Sequence, residues 1–218
     1  MSTTNVRTNN PSPEEAELKP ASERSGGRMG AWWGPVATVV LSTIAMAQAL
    51  QAWDWRPGTP LEFDGDAAFV LMQVKDILDQ GWYWSNPDVG TPFGQTAGWF
   101  ADASWTHYAA VKVLGLLSSS PETVSALYFF VCFPLAALTA YWLARTLEIS
   151  RSAAVMVGVL FSVLPGHQLK FAHLWLAGYW VVPLALWLVL VVAGHVRPEF
   201  RASTMWTLAR LGAIVVIT

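Results

Sequence analysis

Charge is scarce in this sequence. Only 13% of its 218 residues are Asp, Glu, Lys or Arg, about half the ~25% usual in soluble domains. Cysteine is nearly absent: the lone Cys132 lies in an apolar run, which excludes an intrachain disulfide and gives no redox information. There is no basic stripe, which argues against nucleic acid as a partner. No internal repeat is visible, so a solenoid is not expected. A Gly-rich phosphate loop, a zinc signature and a Ser-His-Asp set are all missing.

Hydrophobic residues make up 54% of the chain, and 13 of them are Trp. Trp collects at membrane–water boundaries, because its ring is apolar while its N–H seeks water. The apolar residues fall in long runs. Ala31 to Trp53 holds no charge over 23 positions, and Thr123 to Ala144 none over 22, enough in each case to cross a ~30 Å hydrocarbon core as a helix. Ser152 to Gln168 and Leu174 to Val196 form a third and a fourth run, and Ala202 to Thr218 begins a fifth. These runs predict an all-α fold, a polytopic membrane helix bundle. Residues 1–30, rich in Ser, Thr, Asn, Pro and Glu, predict a disordered cytoplasmic tail. Pro134 and Pro183 read as kinks inside their spans.

The basic residues set the orientation. With the N-terminus in the cytoplasm, nine bases lie on or near the inner side, among them Arg24, Arg28, Arg145, Arg151, Arg197 and Arg201, and four lie outside. That matches the positive-inside bias, and inverting the chain breaks it at every short turn. The plasma membrane is the expected location. A cleaved signal peptide is the rival reading of the first run, since Ala45-Met46-Ala47 has the small-x-small form of a cleavage site. Either way, Asp54 to Glu122 is a long extracytoplasmic loop with nine of the fifteen acids. Within it, Ala67, Val70, Leu71, Val74, Ile77 and Leu78 share one face of a helix spanning Asp66 to Gln80, with Lys75, Asp76, Asp79 and Gln80 elsewhere. Gly81 stops that helix, and Pro- and Gly-rich turns follow to Gly94. A second loop helix, Asp102 to Leu117, is expected to lie at the bilayer surface.

Three clusters could carry chemistry. Glu62-Phe63-Asp64-Gly65-Asp66 crowds three carboxylates at the membrane surface. Crowding raises carboxylate pKa values and makes a general base at neutral pH. The same oxygens could hold a divalent cation, the one cofactor these residues leave open. The plainer alternative is that Asp66 caps the helix and Asp64 sits in a turn. His167-Gln168-Leu169-Lys170-Phe171-Ala172-His173 forms the second cluster, in an outer turn. His167, Lys170 and His173 could bind a phosphate or a sugar, or Lys170 could simply reach the headgroups. The His spacing fits no common metal pair, so no metal is assigned to it. The third cluster is aromatic: Trp82, Tyr83, Trp84, Trp99 and Trp105, with Asp102 and His107 as polar neighbours. Aromatic faces stack on sugar rings, and they also build interfacial belts. No acid or base lies deep within the four full runs, as an ion pathway would need.

In order, these features resemble the start of the GT-C superfamily of integral membrane glycosyltransferases, in particular uncharacterised bacterial members. The resemblance rests on Asp64-Gly65-Asp66-Ala67, Gly81-Trp82-Tyr83 with Asn86-Pro87, Gly90-Thr91-Pro92-Phe93-Gly94, Leu164-Pro165-Gly166-His167, and His173-Leu174 with Tyr179. It covers about Phe63 to Pro183. It implies a polyprenyl-phosphate sugar donor and an acceptor at the outer face, a lipid, polysaccharide or protein. It also implies a catalytic base at Asp64 or Asp66, with Trp82, Trp84, Asp102, His107, His167, Lys170 and His173 as candidate substrate contacts. Members of that superfamily have about twice as many spans, so the chain is expected to be the N-terminal portion of such a protein. The competing expectation is a non-enzymatic membrane protein, a transporter subunit or assembly scaffold. The residues specify neither the sugar nor the oligomeric state.

Overall fold

The structure, a computed structural model, describes residues 21–63, 65–90, 92–96 and 105–196, with side chains from Trp32 onward. Asp64, Asp102, Trp99 and the fifth apolar run lie outside the described residues. Among the described residues the protein is mostly helical, with eight helices. Two are long and apolar enough to cross a membrane, Trp32–Leu50 and Pro121–Thr146.

The first helix, α1, spans Ala21–Leu50. It starts ten residues before the charge-free run, inside the stretch expected to be disordered. Composition alone overlooked that Ala, Glu, Arg and Met here are good helix formers, and that extending an existing helix needs no new nucleus. Helix α2, Asp66–Asp79, follows the acidic motif as expected, and Ala67, Val70, Leu71, Val74 and Ile77 are buried. The residues before it are tied down by an N–H donated from Gly58 to the Thr123 hydroxyl (2.8 Å) and by Trp55 set edge-on to Phe130. Two short strands, β1 (Ser85–Asn86) and β2 (Gln95–Thr96), pair antiparallel and close the Pro- and Gly-rich turn. Gly90 needs to be glycine there. Its φ is +77°, and an added Cβ would lie 2.9 Å from the Gly94 carbonyl oxygen.

Helix α3, Trp105–Leu114, buries Tyr108 and Val111 against α2 and against α4, which spans Pro121–Thr146. Ser120 explains where α4 begins: its hydroxyl accepts the Thr123 N–H (3.1 Å) and donates to Glu122 (2.7 Å), with Pro121 at the first helical position. Helix α4 runs on through Pro134. Helix α5, Arg151–Ser162, packs beside α4 and α1. The close approach comes from small residues one turn apart. Gly34, Thr38 and Ser42 are buried on α1, and Ala154, Gly158 and Ser162 on α5. A Cβ on Gly158 would lie 2.5 Å from the Ala137 carbonyl oxygen and 2.9 Å from the Thr38 methyl group, so these backbones touch as in small-residue helix pairs.

The third and fourth apolar runs are each broken. After Ser162 the chain forms α6 (Pro165–Gln168) and α7 (Leu174–Ala177), then α8 (Val181–Val192). Pro183 is no kink: it is the third residue of α8, where the missing N–H has no helical partner to lose.

Candidate functional site

The N-terminal carbonyls of an α-helix find partners inside the helix, while its last carbonyls do not. At the end of α5 these orphan carbonyls are met by side chains. Tyr179 donates its hydroxyl to the Phe161 (2.6 Å) and Ser162 (3.0 Å) oxygens, His167 Nδ1 donates to the Ser162 oxygen (2.7 Å), and Gln168 donates to the Val163 oxygen (2.8 Å). His167 is buried, with its ring stacked on Phe133 at 3.8 Å and meeting Tyr179 edge-on. The residue expected to face a ligand therefore caps a helix. Its spacing from Ser162, five residues across a Pro–Gly turn, was the available signal.

This capping turn carries the chain back to α2. His173 precedes α7, and its Nε2 lies 3.0 Å from the Asp66 carboxylate, with both side chains more than half exposed (51% and 67%). Asp66 is not the helix cap. Gly65 holds that position at a φ of +53°, with no side-chain cap, and Asp66 opens the first turn. The pair thus joins the acidic motif to the His-containing turn 107 residues later, from Asp66 to His173. A second tie runs parallel to it. Trp175 donates its N–H to the Gln73 side-chain oxygen (3.0 Å), and the Gln73 amide reaches the Tyr108 hydroxyl (3.5 Å). Lys170 is half-buried between the two His residues, and its carbonyl accepts the His173 N–H (3.1 Å).

His107 lies elsewhere. Its Nδ1 shares a hydrogen bond with the Tyr128 hydroxyl, and its ring packs against Trp175 and Trp180. Gly178 permits this contact, since a Cβ there would run into the His107 ring and the Tyr128 hydroxyl. The aromatic cluster forms largely as a unit. Tyr83 stacks on Trp84 (5.2 Å) and contacts Tyr108 (4.4 Å), Trp105 meets Trp84 edge-on (5.2 Å), and Trp82 is half-buried beside them.

Asp76 was placed off the apolar face of its helix, yet it is buried and its Oδ1 has no partner. Burial, reinforced by the nearby Asp79 and Asp88 carboxylates, raises its pKa above the ordinary range. Lys75 points away and pairs with Asp79. Among the described residues, no group of three or more His, Cys, Asp or Glu side chains is placed to hold a metal ion.

The sequence profile of one family, described as a domain of unknown function (DUF6311), matches residues 62–218, from the acidic motif through every candidate above. The chain belongs to that family. No curated protein matches the chain, and no solved structure does.

Proposed function

We propose that this protein is a polytopic membrane glycosyltransferase of GT-C type, which moves a sugar from a polyprenyl-phosphate donor to an acceptor at the outer face of the plasma membrane. The single observation carrying this reading is the Asp66–His173 pair. It sets a carboxylate at an exposed edge where the acidic motif and the later His turn meet, the two segments on which the resemblance rests. In the proposed step the Asp66 carboxylate takes the proton of the acceptor hydroxyl. The acceptor oxygen bonds to the anomeric carbon, the bond from that carbon to the phosphate oxygen breaks, and polyprenyl phosphate leaves. Lys170 and His173 are the nearby groups suited to phosphate, and Trp84, further along the loop, offers an exposed aromatic face suited to sugar.

The membrane placement fits the broken runs. Helices α5 and α8 have 12 residues each, about 18 Å, which does not cross a ~30 Å core. Between them the chain turns at the level of Phe133, midway along α4, where His167 stacks. Broken helix at such depth is tolerated only where protein covers it. Leu174 and Ala177 are fully buried and His167 nearly so, which supports that reading for these residues, while Pro165, Gly166, Leu169 and His173 of the same stretch are exposed. With the N-terminus cytoplasmic, α2 and α3 lie outside.

The scaffold reading has one observation in its favour: the pair also fastens α2 to the turn before α7. Transfer from a polyprenyl-phosphate sugar panel, assayed with the membrane-reconstituted protein, decides between them. Asp66→Asn is expected to abolish transfer while leaving membrane insertion and thermal stability intact. If Asp66→Asn transfers sugar at the wild-type rate, the enzymatic reading fails. If transfer is absent from the wild type as well and Asp66→Asn only lowers stability, the scaffold reading holds.

A further inference from the structure

We infer that Gln73 is the positioning residue of the Asp66–His173 pair: its side-chain amide holds the turn before α7 against α2 at the separation the pair needs. The inference rests on the glycosyl-transfer reading for its use, but the placement stands on its own geometry. The pair does not hold itself together. Both side chains are more than half exposed, and an exposed pair contributes little, since water screens it and two side chains lose freedom in forming it. Nor can α7 fix His173 alone. It has four residues, about one turn, too few to persist without outside contacts. The position of His173 must be set from elsewhere.

Asp66, Val70, Gln73 and Ile77 follow one another at helical spacing along one side of α2. Val70 and Ile77 are buried and apolar, so an apolar side chain would fill the place between them, yet the residue there is an amide. Its oxygen accepts the Trp175 N–H (3.0 Å), and its nitrogen reaches the Tyr108 hydroxyl (3.5 Å). An indole N–H can only donate, which fixes the amide with its oxygen toward Trp175 and its nitrogen toward Tyr108. The Trp175 ring meets the fully buried Tyr108 ring edge-on at 4.9 Å, which closes the triangle. Gln73 thus ties α2, α3 and α7 at one point.

Packing alone does not set the rotation of α7. Leu174 and Ala177 are fully buried, but apolar contacts carry no direction, whereas a hydrogen bond does. Trp175 is two residues from His173, and Gln73 is seven residues from Asp66, about 10 Å along the helix. The tie and the pair therefore join the same two segments at two points, which fixes both their separation and their relative rotation. Without the inner point, the outer one is left to water. A carboxylate that must meet an acceptor hydroxyl then loses its alignment.

The first test is cross-linking, which needs no donor and no turnover. In the full-length protein in detergent, Asp66→Cys and His173→Cys are joined by dibromobimane, a short bifunctional thiol reagent, the native Cys132 being fully buried. Gln73→Met, which keeps the length and removes both hydrogen bonds, is expected to lower the cross-linked yield roughly fivefold. Gln73→Glu keeps an oxygen for Trp175 and is expected to recover most of it. Trp175→Phe keeps a ring beside Tyr108 and removes only the N–H. It is expected to act like Gln73→Met, and it decides the matter if Gln73→Met fails to fold. Equal cross-linking in the folded variants overturns the proposal, and so does failure of Gln73→Glu to recover it. With Asp66 and His173 intact, Gln73→Met is expected to lower kcat about tenfold or more and to leave KM within about twofold. A kcat unchanged from an active wild type overturns the positioning role. The two readings fail separately. Cross-linking that depends on Gln73, without any sugar transfer by the wild type, removes the enzyme and leaves the tie. Transfer that depends on Asp66, with cross-linking and kcat indifferent to Gln73, removes the tie and leaves the enzyme.

Discussion

Gly178 sits where the His107 and Tyr128 side chains leave no room for a methyl group, so Gly178→Ala is expected to push His107 away from Tyr128. Overpacking of this kind costs about 1–3 kcal/mol, and a thermal melt in detergent should show a clear drop in Tm. An unchanged Tm would mean that the His107–Tyr128 contact does not constrain the loop. Asp76 gives a prediction of the opposite sign. Its folded pKa is raised, so the folded state binds a proton more readily there than the unfolded chain does. Stability is then highest below the ordinary Asp pKa of about 3.9 and is lost as pH rises through the raised value. Asp76→Asn removes that loss. It is expected to raise Tm by a few degrees at neutral pH and to flatten the decline above pH ~4. A lower Tm for Asp76→Asn at neutral pH would show that the carboxylate is stabilising as charge. Neither residue was legible as a constraint in the sequence. Helical periodicity put Asp76 off the apolar stripe, yet it is buried, because periodicity within one helix does not report how far the rest of the fold covers that helix.

The elements were legible to different degrees, and the reason is packing. The amphipathic stripe of α2 and the charge-free run of α4 announce themselves, because burial of apolar surface selects those patterns directly. The break after Ser162 is legible only in part: Pro165, Gly166 and the polar His167, Gln168, Lys170 and His173 mark a turn, but nothing in the sequence ends the helix as early as Ser162. What makes the break affordable is long-range: Tyr179, from the far side of the turn, satisfies the Phe161 carbonyl. The role of His167 follows from the same contact set. His167→Ala is expected to lower Tm through the lost hydrogen bond to the Ser162 carbonyl, about 0.5–1.5 kcal/mol, and through the gap left beside Phe133. In a ligand-binding role the same variant would lower substrate affinity at unchanged Tm. The three-helix contact of α1, α4 and α5 was equally available as the small residues Gly34, Thr38, Ser42 and Ala154, Gly158, Ser162. Gly158→Leu is expected to force α5 off Ala137 and to leave little folded protein after mild heating, whereas Met156→Leu, on the exposed face of α5, should melt like the wild type.

At the scale of the whole molecule, the fold and the proposed chemistry share one requirement: the Asp66–His173 edge and the Trp84 ring must lie on the same side of the membrane, opposite the turn between α4 and α5. Helices α1 and α4 each have the length to cross. Arg145 and Arg151 flank the turn that follows α4, and the acidic loop lies between the two helices. The positive-inside bias then predicts that Glu148, exposed in that turn, faces the cytoplasm, and that Asp88, exposed in the hairpin, faces outside. Cysteine labelling reads this directly, because native Cys132 is fully buried and should stay silent. With a membrane-impermeant maleimide, Asp88→Cys is expected to be labelled in intact cells and Glu148→Cys only after the membrane is opened. The reverse pattern would place the acidic loop in the cytoplasm, away from any outer-face acceptor, and would sink the transfer mechanism even if Asp66 and His173 remained paired. Labelling of both positions in intact cells would mean that α4 does not cross, and that its apolar length serves burial against α1 and α5 instead.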